Sequence, residues 1–166
     1  RGGGKVFVCD INQSMLEAGK AKIEKKSGPK NIEWVCGDAE SLPVSDRSVD
    51  AYTIAFGLRN VTSIGNALRE ARRVLRPGGR FLCLEFSKPA IAFINPIYDA
   101  YSFKILPEIG NFVANDRNAY KYLVESIRKF PDQIDLEQQI NCAGLEKSSY
   151  RNLSGGIAAI HSAWRL

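Results

Sequence analysis

Three places in this sequence hold side chains whose types and positions suit recognition or catalysis. Asp10 closes a β-branched and aromatic run, Val6–Cys9. In an α/β nucleotide-binding fold, an acidic residue at that strand end accepts hydrogen bonds from both hydroxyls of a ribose. A carboxylate suits this because it only accepts and can take two donors at once. An Asp that merely starts a turn is the competing reading. Asp38, in Gly37-Asp38-Ala39, follows a second run, Ile32–Cys36. It could accept from an adenine amino group, with Gly37 and Ala39 small enough to let the base approach, although Gly-Asp also turns readily. The third place is Phe56-Gly57-Leu58-Arg59-Asn60, at the end of the apolar run from Ala51. Open α/β sheets bind ligands at the carboxyl ends of their strands. There Arg59 and Asn60 could orient a polar ring substituent or stabilise developing negative charge. Alternatively, Arg59 pairs with a carboxylate at the edge of the core.

The elements that must position these residues alternate in type. Strands are expected at Val6–Cys9, Ile32–Cys36, Ala51–Phe56 and Phe81–Phe86. Helices are expected over Met15–Lys26, capped by Asn12 or Ser14, and from about Ser63 to Arg76. Ser14 with Glu17 would make a capping box. Ala51–Phe56 is apolar nearly throughout, as a strand covered on both faces should be. Pro77-Gly78-Gly79 should break the second helix. Alternating strands and helices predict a parallel α/β sheet. Residues 88–117 are rich in proline and aromatics and read as an irregular insertion. An amphipathic helix, Ala119–Phe130, follows, and Asp132 can cap another that stops at Gly144. Leu145–Asn152 and Ile157–Trp164 then read as an antiparallel pair at the sheet edge.

Composition narrows the function classes. The chain has 166 residues, 45% hydrophobic and 25% charged, which fits one globular domain. No stretch approaches eighteen consecutive apolar residues, so no transmembrane helix is expected. Arg1–Lys5 reads as neither a signal nor a transit peptide, although a precursor could carry one. The net charge of +5 is spread out, without the dense basic patch of a nucleic-acid binder. One local exception is Arg69, Arg72, Arg73 and Arg76, which share a helical face. That face is either simply solvated or contacts a partner protein or an anionic membrane surface. Four cysteines lack a C-x-x-C pair and His161 is the sole histidine, so a metal site is not expected. Cys9, Cys36 and Cys83 sit in apolar runs and read as small buried residues in a reducing compartment.

The glycine-rich loop that should accompany Asp10 is missing. Gly2-Gly3-Gly4 precedes a strand, whereas a cofactor-cradling loop follows one and opens a helix. Arg73-Val74-Leu75-Arg76-Pro77-Gly78-Gly79-Arg80-Phe81-Leu82-Cys83-Leu84-Glu85-Phe86-Ser87 nevertheless carries a specific resemblance. Pro-Gly-Gly between a helix and a strand is common in S-adenosylmethionine-dependent methyltransferases. The longer segment closely resembles the ubiquinone/menaquinone biosynthesis C-methyltransferases (the UbiE-like family). Phe56-Gly57-Leu58-Arg59-Asn60-Val61-Thr62 is similar to a second family hallmark. Tyr122-Leu123-Val124-Glu125-Ser126-Ile127 with Phe130-Pro131 resembles a third, and Ser154-Gly155-Gly156-Ile157-Ala158-Ala159-Ile160-His161 a fourth. The likeness runs from about Val6 to Leu166. Ile54-Ala55-Phe56 and the Ala-Ile-His-Ser ending resemble the eukaryotic, mitochondrial ubiquinone branch.

The resemblance implies a class I Rossmann-like methyltransferase sheet ending in an antiparallel hairpin, here one partial domain over residues 1–166. The family's first strand and its glycine-rich loop have no counterpart, so the chain looks N-terminally truncated. Their loss would leave unpaired backbone groups inside the sheet. The cofactor implied is S-adenosyl-L-methionine, with Asp10 on the ribose and Asp38 and Ala39 on the adenine side. The implied substrate is 2-polyprenyl-6-methoxy-1,4-benzoquinol, methylated at a ring carbon. The implied setting is a peripheral complex with other ubiquinone-biosynthesis proteins on the matrix face of the inner membrane. A homodimer is a further expectation and nucleic acid is not.

Methyl transfer needs donor and acceptor carbon aligned and about 3–3.5 Å apart. Arg59 is expected to stabilise the phenolate that activates the ring, and Asn60 to orient it. A guanidinium stays protonated, so a water, Asp99 or His161 would take the proton. The insertion 88–117 is expected to form a substrate lid. Tyr98, Tyr101 and Phe103, with His161, are the expected substrate contacts, against ordinary core packing or, for His161, a structural role. Two other classes compete. A nicotinamide-dependent oxidoreductase shares the Asp10 logic but not the Pro-Gly-Gly segment or the antiparallel ending. An inactive interaction module would bind quinone-synthesis partners without affinity for S-adenosylmethionine.

Overall fold

A computed structural model describes residues 4–26, 28–88 and 117–166. Apart from its two end residues, the expected lid lies outside them, as do Tyr98, Asp99, Tyr101 and Phe103.

β1 (Val6–Asp10), α1 (Gln13–Lys25) and β2 (Ile32–Cys36) form one unit. Asn12 caps α1, its side chain accepting from the amides of Ser14 and Met15. Ser14 is thereby a donor inside the first turn, and the Ser14–Glu17 capping box does not form. β1 and β2 are parallel, with Asp10 opposite Cys36. A Cβ on Gly19 of α1 would lie 3.0 Å from the Trp34 ring, so the missing side chain is what lets helix and strand approach.

β3 (Val49–Ala55), α2 (Ile64–Val74) and β4 (Leu75–Phe86) form a second parallel unit. Ser63 caps α2 by accepting from the Asn66 amide. Ala67, Leu68, Ala71 and Val74 bury its apolar stripe. The helix ends at Val74, two residues before the expected Arg76, and Pro77-Gly78-Gly79 lies within β4 rather than before it. Val49 pairs with Leu75 and Ala51 with Arg80, so the Pro-Gly-Gly residues are carried as a bulge. Gly78 takes φ 81° there, a conformation glycine adopts without strain.

α3 (Arg117–Lys129) and α4 (Gln133–Cys142) follow. Asp132 caps α4 by accepting from the Ile134 and Asp135 amides. β5 (Glu146–Leu153) and β6 (Ala158–Arg165) are the expected antiparallel pair. The strand order is β3-β4-β6-β5, with β6 antiparallel to β4 as well. Along β4 and β6, alternate residues are buried: Phe81, Cys83 and Glu85, and Ala159, His161, Ala163 and Arg165. Of these, Phe81, Cys83 and Ala163 join Leu68, Leu75, Leu136, Ile140 and Leu145 in one core beneath the helices.

Two expectations are corrected. β3 is not covered on both faces: Val49, Tyr52 and Ile54 pack on the core, whereas Asp50, Ala51, Thr53 and Ala55 are exposed. Among the described residues, β1 pairs only with β2 and β3 only with β4, so each has an unpaired edge. The cysteines also diverge. All four are free thiols, but only Cys83 is buried; Cys9 is half-buried and Cys36 exposed.

Candidate functional site

The carboxyl ends of the parallel strands carry the residues that the sequence singles out. Asp10 is exposed at the end of β1. Its Oδ1 accepts from the Asn12 amide at 2.8 Å, and its Oδ2 makes no hydrogen bond among the described residues. The Gly37 amide donates to the Asp10 carbonyl at 3.1 Å, which sets the Gly37-Asp38-Ala39 loop beside it. Asp38 Oδ1 accepts from the Glu40 amide at 2.8 Å, while Ala39 packs against the core. Ile11 and Met15, 71% and 61% exposed, present apolar surface next to Asp10.

Glu40 joins this half of the site to the other. Its carboxylate accepts from the amides of Thr62 and Ser63 at 2.7 and 2.9 Å, and from Asn66 at 3.3 Å. These are donors at the start of α2, where the helix dipole favours negative charge. Foremost through the Ser63 hydrogen bond, its carboxyl is held below the ordinary carboxylate range. The loop after β2 is thus tied to the segment that follows Arg59 and Asn60.

That segment begins under strain. Phe56 has φ 54°, unusual for a side chain of this size, and its ring lies 4.7 Å from that of Phe86. Leu58 is buried and anchors the following turn, Leu58–Asn60. Arg59 Nη1 donates to Glu85 Oε1 at 2.8 Å and to the Phe56 carbonyl. Its amide donates to Glu85 Oε2 at 3.2 Å, and its guanidinium lies 5.4 Å from the Phe86 ring centre. The two side chains are 11% and 1% exposed. Arg59 Nε is buried without an acceptor, and Nη2 makes no hydrogen bond among the described residues. Asn60 Oδ1 accepts from the Tyr122 hydroxyl at 3.1 Å. Ser87 Oγ, just past β4, is also buried without a partner.

The competing reading of Arg59, a pair with a core-edge carboxylate, is therefore real, and Glu85 is that carboxylate. It does not exhaust the guanidinium. A buried donor without an acceptor costs on the order of 1–3 kcal/mol, so Nε and Ser87 Oγ are groups that a polar ligand could satisfy. Sequence reasoning missed Glu85, Ser87 and Tyr122 as site residues. The available signal was a charge in the otherwise apolar run Phe81–Phe86, because buried carboxylates occur only when paired.

His161 departs from the expected substrate contact. It lies on the helix-facing side of β6, 2% exposed, with Nε2 2.9 Å from the Gln133 carbonyl. A carbonyl only accepts, so Nε2 carries the proton and Nδ1, buried and unpartnered, does not. The ring is tilted against Tyr150 at 5.5 Å and is a core group. Desolvation, only partly offset by the Gln133 hydrogen bond, pushes its pKa below the ordinary value of 6.5.

The profile of the ubiE/COQ5 methyltransferase family matches residues 1–165. The chain belongs to that family. It is 55% identical over 159 residues to the ubiquinone/menaquinone biosynthesis C-methyltransferase UbiE of Bartonella quintana, covering 96% of this chain and 61% of the relative. It is 52% identical over 165 residues to the mitochondrial 2-methoxy-6-polyprenyl-1,4-benzoquinol methylase of Bos taurus, covering 99% of this chain and 50% of the relative. The chain thus spans about half to three-fifths of the length of the curated relatives it matches. Among solved structures, a SAM-dependent methyltransferase from Aquifex aeolicus superposes with TM-score 0.69 at 18% identity, over 98% of this chain and 70% of its own. The [4+2]-cyclase SpnF superposes with TM-score 0.71 at 16% identity, over 97% and 66%. The family member thus has the class I Rossmann-like methyltransferase fold, expected from its motifs. A cyclase among the structural neighbours shows that the fold alone does not fix the reaction.

Proposed function

We propose that this chain serves S-adenosylmethionine-dependent C-methylation of 2-polyprenyl-6-methoxy-1,4-benzoquinol in ubiquinone biosynthesis. The observation that carries this reading is the gathering of Asp10, Asp38 and Arg59 at strand ends, in a chain more than half identical to named quinone methyltransferases. The donor set suits the cofactor: an exposed carboxylate with a free oxygen for ribose hydroxyls, and a second beside a small residue for adenine.

When bound, S-adenosylmethionine supplies an electrophilic methyl group. Asp10 holds the ribose, and Asp38 with Ala39 borders the adenine. Arg59 Nη2 and the Asn60 amide hold the ring oxygen whose deprotonation makes the neighbouring ring carbon nucleophilic. Glu85 fixes the Arg59 guanidinium and keeps it from swinging out. The proton goes to a water or to Asp99, since the free nitrogen of His161 is buried away from solvent. Tyr98, Tyr101 and Phe103 are proposed to meet the polyprenyl tail. The mitochondrial names of the cattle, rat and mouse relatives support a mitochondrial setting. Matrix-face membrane association and a complex with other quinone-synthesis proteins, including a second copy, belong to the same proposal.

The test is calorimetric titration with S-adenosylhomocysteine, paired with methyl transfer to a short-tailed benzoquinol. Arg59→Lys, assayed where it remains folded, should lower turnover far more than cofactor affinity. Equal losses in both would remove Arg59 from the chemistry. The unpaired edges of β1 and β3 favour a second reading, an inactive interaction module. A cooperatively melting chain that binds quinone-synthesis proteins but no S-adenosylhomocysteine would select it.

A further inference from the structure

The face opposite the candidate site holds a group of charges that the proposed reaction does not use. α2 runs back from the strand ends, so its last turn and the start of β4 lie at the far end of the sheet. Arg47, Arg69, Arg72, Arg73 and Arg165 line a cavity of about 350 Å³ there, with Asp46 as the lone acid in its lining. Local structure accounts for one of these five charges. Arg73 pairs with both Asp46 and Glu70 and also donates to the carbonyls of Leu42 and Val44.

Among the described residues, the other four have no carboxylate partner. Arg165 is 9% exposed; its Nη1 donates to the carbonyls of Arg72, Arg73 and Leu75 at 2.7, 3.0 and 2.8 Å. These carbonyls close α2, where a cation belongs. Its Nε and Nη2 make no hydrogen bond among the described residues. Arg72 uses only Nε, on the Gly144 carbonyl at 2.8 Å, and Arg69 only one nitrogen, on Asn66. Arg47 is exposed and has φ 50°; its amide donates to the Arg73 carbonyl at 2.9 Å, and its guanidinium makes no hydrogen bond or ion pair among the described residues. Burial, then the Arg47 and Arg72 charges, lowers the Arg165 pKa from its ordinary value, so these cations repel one another.

We propose that Arg47, Arg69, Arg72 and Arg165 bind a phosphate-type dianion. Guanidinium forks match tetrahedral oxyanions and deliver paired donors to them. Two negative charges on one small group offset more of this repulsion than a single carboxylate would. The cavity has room for a substituent on the phosphate, so the group can be free phosphate or the monoester headgroup of a lipid.

The probes are inorganic phosphate, titrated calorimetrically into the full chain at constant ionic strength, and vesicles of phosphatidylcholine with or without phosphatidic acid. Saturable phosphate binding is expected. Arg47→Gly and Arg69→Gln should each weaken it about tenfold or more, the scale of one charge-assisted contact. Glycine tolerates the backbone at position 47, so Arg47→Gly should melt no lower than the parent chain while binding less. Co-sedimentation with phosphatidic acid, competed away by phosphate, assigns the lipid as source; phosphate binding without sedimentation assigns the free ion. Absence of both, or affinity unchanged in both variants, overturns the site.

Discussion

Arg59 and Glu85 meet across the ends of β3 and β4, with Nη1 2.8 Å from Oε1 and the Arg59 amide 3.2 Å from Oε2. One carboxylate thereby sets both the side chain and the backbone of the residue proposed to act on the substrate ring. Removing one partner from a buried pair leaves an uncompensated charge, which costs about 3–5 kcal/mol. Glu85→Ala should therefore lower the denaturant midpoint strongly, by an amount of that order at unchanged m-value. A loss below about 1 kcal/mol, the scale of an exposed pair, would mean that the pair is solvated and does not fix Arg59.

His161 should make stability pH-dependent. Its folded pKa lies below the unfolded value of 6.5, so the unfolded chain binds the extra proton first. Stability is then full above that value and falls as pH drops through it. Protonation would also put a donor on Nδ1, which has no acceptor. Thermal melts of the parent chain between pH 7.5 and pH 5.5 (values chosen about the ordinary histidine pKa) should show this loss, and His161→Gln should flatten it. Parallel profiles would show that another group titrates.

The thiols should separate by reactivity. Burial pushes the Cys83 thiol up to about 12, which leaves almost no thiolate at neutral pH. Cys36 and Cys142 are exposed. Cys9 is half-buried and also raised, by burial first and then by Asp10. An aromatic disulfide reagent should modify Cys36 and Cys142 first, Cys9 more slowly, and Cys83 only after unfolding. Mass mapping of early labelling at Cys83 would contradict the packing of β4.

Glu40 should couple the two halves of the site. Glu40→Ala removes the acceptor for Thr62, Ser63 and Asn66 and frees the Asp38 loop from the start of α2. Affinity for S-adenosylhomocysteine should fall. Because the folded carboxyl titrates low, the parent contact persists below the ordinary carboxylate pKa and is lost as pH falls through the lowered one. Unchanged affinity in the variant would mean that the Asp38 loop is positioned without it.

The sequence made the strands and caps legible because these are local signals. Asn12, Ser63 and Asp132 each offer a short acceptor just before an apolar periodicity, and each caps its helix. The placement of Asp10 at the end of β1 and of Asp38 just past β2 was readable because each follows a short apolar run; such strand ends are where parallel sheets bind ligands. What was not legible is long-range. Glu85 is named by its partner, twenty-six residues earlier in sequence. His161 looked available until the Gln133 carbonyl and the core closed around it. Pro77-Gly78-Gly79 reads locally as a breaker, yet pairing on both flanks keeps it within a strand. β3 reads as doubly covered from its composition, but its exposed face has no described element on it.

The split between the two-stranded and four-stranded sheets sets how the chain should melt. The β1–α1–β2 unit buries only Leu16 of its helix fully, whereas the other sheet shares the extensive core beneath α2 and α4. Among the described residues, no backbone ladder joins them. Amide hydrogens of β1 and β2 should therefore exchange through a cheaper opening than those of β4 and β6, as two cooperative units in one domain. Asp10 and Asp38 ride on the looser unit and Arg59 on the firmer one. A ligand held by both would do more than occupy a site: it would weld the units together and slow exchange most at the strands farthest from the main core.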